Sequence, residues 1–180
     1  GERDYMDKLD IVTDESGNKV VLLPEIIFSN KQNINWNDVE DYLGKYVGEL
    51  IEIAETRDII YIGNKFPDEY GGSSYTRKTK GARAKAKANA AQGIREMVEI
   101  ATDKVYRENH KEKHSEDAHN GWFYYVTRFA IPLYNNEKKT GEYNVYSACL
   151  VVNHAANGKM YLYDVVGIKK EASNPLKTIK

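Results

Sequence analysis

The sequence predicts an α+β protein: a long basic helix packed on an antiparallel sheet, preceded by an acidic extension of two hairpins and a short helix. Three observations carry that expectation. Hydrophobicity alternates with period two through residues 122–134, 143–153 and 159–168, with turn-forming segments between them. Residues 76 to about 106 contain no proline and are rich in alanine and lysine, as a helix requires. A breaker cluster, Pro67-Asp68-Glu69-Tyr70-Gly71-Gly72-Ser73-Ser74, separates the two regions of different character. A helix followed by strands in close succession is an α+β order, with the helix on one face of the sheet.

The elements come in this chain order. Leu9-Asp10-Ile11-Val12 and Val20-Val21-Leu22-Leu23 flank Asp14-Glu15-Ser16-Gly17-Asn18, which predicts a hairpin. Pro24 marks the residues after it as an edge or irregular segment. Trp36, Val39, Tyr42, Leu43, Tyr46, Val47 and Leu50 recur at helical spacing behind Asn37, a candidate N-cap. Ile51 and Ile53 face Ile59-Ile60-Tyr61-Ile62 across Glu55-Thr56-Arg57-Asp58, a second hairpin. The long helix turns amphipathic through Ile94, Met97, Val98, Ile100, Ala101 and Val105, and Gly81 and Gly93 are places where it would kink. Residues 107–120 are polar, carry three histidines and read as a loop. The chain thus divides into an N-terminal extension (1–65), a main domain (66–173) and a frayed tail (174–180).

The formal net charge of −1 conceals a polarity. Residues 1–75 hold 16 Asp/Glu against 7 Lys/Arg, and residues 76–180 hold 19 Lys/Arg against 11 Asp/Glu. No apolar run approaches the roughly 20 residues of a bilayer span, and Gly1-Glu2-Arg3-Asp4 is unlike a secretory signal. The expectation is a cytoplasmic monomer with no membrane partner. One cysteine, Cys149, permits neither an internal disulfide nor a multi-cysteine zinc site.

From Arg77 to Arg95 the cations Arg77, Lys78, Lys80, Arg83, Lys85, Lys87 and Arg95 occur without one carboxylate. Such a run suits phosphate contact, and a merely solvated helix face is the plain alternative. His110, His114 and His119 are imidazoles of the kind that move protons near neutrality; surface histidines in a loop are the alternative. Zinc is disfavoured, because Lys111 stands where the metalloprotease helix has glutamate, so no metal and no cofactor are expected. Alternation places Phe123, Tyr125, Thr127, Phe129, Ile131 and Leu133 on one face, toward the helix, and Trp122, Tyr124, Val126, Arg128 and Ala130 on the other. Arg128 among aromatic neighbours suits a phosphate on an open sheet face, or it snorkels. No P-loop, dinucleotide fingerprint or Gly-x-Ser-x-Gly elbow is present. Cys149, mid-strand in an apolar run, reads as structural.

Thr127-Arg128-Phe129-Ala130-Ile131-Pro132, Tyr143-Asn144-Val145-Tyr146-Ser147-Ala148 and Tyr161-Leu162-Tyr163-Asp164-Val165-Val166-Gly167-Ile168-Lys169-Lys170 resemble a nuclease domain of phage and mobile-element proteins. That domain occurs in polyvalent and head-morphogenesis (MuF-type) proteins and is similar to the barnase–EndoU–colicin–RelE group. The likeness spans roughly residues 66–173. It implies helices before a four-stranded antiparallel sheet, and metal-independent RNA cleavage through 2′-hydroxyl attack. It further implies a toxin or effector delivered into a host cell, with RNA (tRNA or mRNA) as substrate and an immunity or antitoxin protein as partner. Under it His114 is the expected general base or acid and Arg128 the phosphate cation. Tyr146 would be a second proton donor, Lys169 a phosphate contact, and Thr127 belongs by motif. A domain that has lost activity would persist as a nucleic-acid-binding or protein-interaction module. Residues 1–65 are expected to lie beside the basic face as a subdomain whose deletion leaves RNA binding intact.

Overall fold

The computed structural model describes residues 8–29, 33–108, 120–171 and 174–178. Its elements in chain order are β1 (Ile11–Thr13), β2 (Lys19–Leu22), α1 (Trp36–Leu43), β3 (Leu50–Glu52), β4 (Ile59–Tyr61), α2 (Phe66–Gly72), α3 (Ser74–Lys78), α4 (Gly81–Ala90), α5 (Ile94–Glu99), β5 (Thr102–Arg107), β6 (Trp122–Asn135), β7 (Lys138–His154), β8 (Met160–Lys170) and β9 (Leu176–Lys177). The protein is α+β, and the three-strand meander β6-β7-β8 stands where alternation put it. Asn136 and Glu137 at φ 50° and 69° make the two-residue turn between β6 and β7, the double positive φ that matches strand twist. Asn157 Oδ1 accepts from Lys159 N (2.8 Å) in the turn into β8.

The sheet is larger than the resemblance implies. Its order is β1-β2-β6-β7-β8-β4-β3, with β5 on β6 and β9 on β7, nine strands among the described residues. The hairpins β1–β2 and β3–β4 form as the turns predict, but β2 pairs parallel with β6 and β4 parallel with β8. The sheet is therefore mixed, not four antiparallel strands. This also revises the division at residue 65. Val21, Leu23, Val39, Leu43, Tyr46, Ile51, Ile53, Ile60 and Ile62 share one buried cluster with Phe129, Tyr146, Leu150 and Val165. Removing residues 1–65 would strip both flanks of the sheet and much of the core, so the deletion expected to leave binding intact would unfold the protein.

The single long helix is the second correction. Ser73 caps α3 by accepting from Thr76 N (3.2 Å). Thr79 and Lys80 are extended, and α4 begins at Gly81, whose φ of +63° favours glycine. A 3₁₀ turn, Ala91–Gly93, separates α4 from α5. A Cβ on Gly93 would stand 3.2 Å from the side chains of Leu23 and Val21, so β2 packs directly on that turn. Residues 102–106, assigned to the helix by pattern, and Arg107, assigned to the loop, form β5 and pair with β6. Three smaller expectations also change. The breaker cluster is largely α2, with Pro67 in its first turn. Asn35, not Asn37, caps α1, accepting from Asn37 N (3.1 Å) and Asp38 N (3.4 Å). The tail does not simply fray: Leu176 and Lys177 pair with Tyr143 and Glu142.

The segment after Pro24 is irregular, as that proline predicts, and α4 supplies its missing backbone partners. Asn89, fully buried, accepts at Oδ1 from Ile27 N (2.8 Å) and Phe28 N (3.1 Å) and donates from Nδ2 to Phe28 O and Lys85 O (both 2.9 Å). Gln92 Nε2 donates to Glu25 O (2.9 Å). Asn89→Leu strands two backbone N–H groups in a part-buried site, and a loss of about 2–4 kcal/mol is expected in urea unfolding. A loss under about 1 kcal/mol would show that water replaces the clamp.

Candidate nucleic-acid interface

The meander sorts the expected catalytic residues onto two faces. Cross-strand register places Arg128 opposite Ser147 and Ser147 opposite Lys169. These three make one row across β6, β7 and β8 on the face away from the helices, about 10 Å from end to end. Apolar clusters flank the row, Val20, Leu22, Ala130 and Val145 on one side and Trp122 with Val151 on the other. Lys169 is exposed. Arg128 is held by Glu171, Nε to Oε1 at 3.1 Å, and lines a cleft of about 330 Å³ with Lys19, Glu55 and Glu99.

Thr127 and Tyr146 lie on the opposite, helix-facing side. Thr127 is 2% exposed and its hydroxyl donates to Met97 O (2.7 Å), tying β6 to α5. Tyr146 stacks on Phe129 at 5.6 Å and 13°, and burial raises its phenol above the ordinary value. Alternation puts Thr127 on the apolar side; the structure gives it, and Tyr146, a packing role away from the Arg128 row. Burial likewise pushes the Cys149 thiol up, against which a backbone hydrogen bond and Arg107 act, in keeping with a structural cysteine. His114, with His110 and His119, lies outside the described residues.

The basic run does not present one helical face. Arg77, Lys78, Lys80 and Arg83 are exposed at the α3–α4 junction, and Lys85 is half-buried. Lys87, grouped with Lys80 and Arg83 as a phosphate contact, is corrected: it is completely buried. What brings the exposed four to the sheet is α3. The Tyr75 hydroxyl accepts from Ile168 N (2.9 Å), one residue before Lys169, along the part of β8 that β4 does not cover. That contact seats the α3–α4 junction against the edge of β8, where Lys169 and Lys170 are exposed. Among the described residues none of these six cations has an ion-pair partner.

Lys87 belongs to a different constellation, which sequence reading missed. Its Nζ lies 2.6 Å from Asp164 Oδ1, with side chains 0% and 3% exposed. The ring centres of Tyr70 and Tyr75 are 4.6 and 5.0 Å from the ammonium, and Tyr70 donates to Lys87 O. Burial lowers the Lys87 amine and raises the Asp164 carboxyl; the close opposite charge works against each shift. The signal was an aspartate inside the apolar run Leu162–Val166 and a lysine among Ala84, Ala86, Ala88, Ala90 and Ala91, all buried. A helix so rich in small side chains sits close to its sheet, and a charge on its inner side must find a partner there.

A second cleft, of about 300 Å³, opens at the other end of β8, between Gly63–Phe66, Glu69, Ala155 and the strand residues Asn153, Tyr161, Leu162 and Tyr163. Among the described residues no group of three or more His, Cys, Asp or Glu is placed to hold a metal ion, and no helix is long and apolar enough to cross a membrane. No family model, curated protein or solved structure matches the chain. The geometry of the cationic edge is what any functional reading rests on.

Proposed function

We propose that the protein binds RNA along the edge of β8, as a domain of the barnase–EndoU–colicin–RelE kind. The observation that carries the reading is the gathering of Arg77, Lys78, Lys80, Arg83, Lys169 and Lys170 around that edge without ion-pair partners among the described residues. No Asp or Glu occurs between Glu69 and Glu96 to neutralise them. Six cations at one edge repel each other, and a phosphate backbone relieves that while releasing its own counterions. Single-stranded RNA fits better than a duplex, since Tyr161 and Tyr163 lie farther along the same strand for base stacking.

Metal-independent cleavage is the second reading, and the row Arg128–Ser147–Lys169 favours it. A phosphate seated there would meet a guanidinium, a hydroxyl and an ammonium, the groups that offset charge developing on the phosphoryl oxygens. In that reading the chain is a phage or mobile-element effector, and an immunity or antitoxin protein would cover this surface. Incubation with tRNA and total RNA in EDTA buffer tests it, comparing wild type with Arg128→Ala, Lys169→Ala and His114→Ala. Cleavage lost in Arg128→Ala and Lys169→Ala supports an enzyme. RNA bound but left intact by wild type leaves a binding module. Absence of binding overturns both.

A further inference from the structure

We infer that Tyr75 is a positioning residue that joins the α3–α4 cations and Lys169 into one phosphate-binding site, an inference that rests on the RNA-binding reading and deepens it. Two groups of cations far apart in sequence meet there. Arg77, Lys78, Lys80 and Arg83 follow Tyr75 into the α3–α4 junction, and Lys169 and Lys170 follow Ile168 on β8. Tyr75 and Ile168 are 93 residues apart in the chain, and the phenol hydroxyl accepts from the Ile168 amide at 2.9 Å. The first group begins just after Tyr75 and the second just after Ile168, so this bond fixes the spacing between them.

Both partners are placed for that bond by their neighbours. β8 pairs with β4 only at Met160 and Tyr161, so among the described residues no strand lies along its outer edge from Asp164 onward. Helix α3 takes that place. Its N-cap, Ser73, hydrogen-bonds the Asp164 carboxylate, and Tyr75 follows in the first turn. Within the sheet, Ser147 stands opposite Lys169 and Cys149 opposite Val166, which leaves Gly167 and Ile168 together against Ala148. That is a β-bulge, with Gly167 at φ +60°, and a bulge leaves a residue outside the ladder. The Ile168 amide finds a phenol in place of a strand carbonyl. The Tyr75 ring is held in turn by the Lys87 ammonium, 5.0 Å from its centre, and Lys87 is bonded to Asp164.

The consequence is for binding more than for folding. A phosphate chain that meets both groups of cations gains most when their separation is set beforehand, because the second contact then forms at a high effective concentration. Without the Tyr75 hydroxyl, α3 is still capped by Ser73 and the ring still meets Lys87, but the junction is free to shift along β8. The two groups then bind as separate patches.

The test uses Tyr75→Phe, which keeps the ring and removes the acceptor. Amide exchange reads the tether without any ligand: the Ile168 N–H should exchange about tenfold faster in the variant, with the rest of β8 unchanged. Titration with (U)8 RNA and with inorganic polyphosphate in a salt series reads the site, for wild type, Tyr75→Phe, Lys169→Gln and the double variant. Tyr75→Phe should weaken binding of both probes by about tenfold and flatten the (U)8 slope by about 0.7, one phosphate contact. Lys169→Gln should then cost less in the Tyr75→Phe background than in wild type. Unchanged affinity in Tyr75→Phe, or losses that simply add, overturns the joined site and leaves the RNA reading standing. Equal Ile168 exchange in the two proteins does the same. Polyphosphate bound with the expected Tyr75 dependence, but no (U)8 bound, overturns the RNA reading and leaves the joined site. Binding of neither probe overturns both.

Discussion

Replacing Asp164 with leucine is expected to destabilise the protein by about 3–5 kcal/mol, because it strands a charged lysine in the core. Lys87 sits 2.6 Å from Asp164 with no exposed side-chain surface, and its ammonium is left against the rings of Tyr70 and Tyr75 once the carboxylate is gone. Lys87→Met should cost a similar amount, leaving a carboxylate whose remaining donors are Ser73 and the Val165 amide. The double variant Lys87→Met/Asp164→Leu should recover most of the loss, since it leaves no buried charge without a partner. Urea midpoints of the four proteins close the cycle; single-variant losses under about 1 kcal/mol would mean that water reaches the pair. The pair also sets how stability responds to pH. In Asp164→Leu the buried amine titrates below its unfolded value of about 10.4, so between the two values the unfolded chain holds more protons. The stability of that variant should therefore rise with pH toward about 10.

The second large effect concerns the edge of β8. Changing Arg77, Lys78, Lys80 and Arg83 together to glutamine should weaken binding to single-stranded RNA by about a hundredfold or more at low salt. The salt series is more diagnostic than the affinity. Each phosphate contact on a single strand contributes about −0.7 to the slope of log K against log salt, so losing four should flatten it by about 3. The side chains are exposed, so the melting temperature should stay near wild type. Lys138 and Lys139, equally exposed beside the β6–β7 turn, provide the control: their glutamine variants should leave the slope unchanged. An unchanged slope in the quadruple variant would place the phosphates elsewhere on the surface.

Local chemistry was legible from the sequence where one signal decided the outcome. Turn residues marked both N-terminal hairpins, period-two alternation marked the meander, and the same alternation put Thr127 on the buried side, against the family motif. What escaped depended on contacts distant in sequence. No pattern in residues 19–22 or 59–61 announces parallel partners beyond residue 125, so the hairpins looked like an appendage. Residues 76–106 carry helical composition throughout, yet the extended Thr79-Lys80, the packing of β2 on Gly93 and the pairing of Val105 with Tyr124 broke the run into three helices, a 3₁₀ turn and a strand. For the candidate site, charge counting singled out residues 77–95 but could not tell which cations face water. Lys87 and Lys80 look alike in sequence, and only the close approach of an alanine-rich helix to Asp164 separates them.

The interleaved order of the sheet has a consequence for how the chain reaches this shape. Strands β2 and β4 have one neighbour close by in their hairpins, but find the other in β6 and β8, more than 95 residues later. On a ribosome the early hairpins emerge with their apolar sides uncovered and must wait for about a hundred further residues. Such distant pairings make for slow assembly, with exposed strand edges meanwhile open to misassociation. The acidic excess of the first 75 residues, 16 Asp/Glu against 7 Lys/Arg, has a use in that interval: like-charged nascent segments repel one another, keeping unfinished copies apart until the meander arrives.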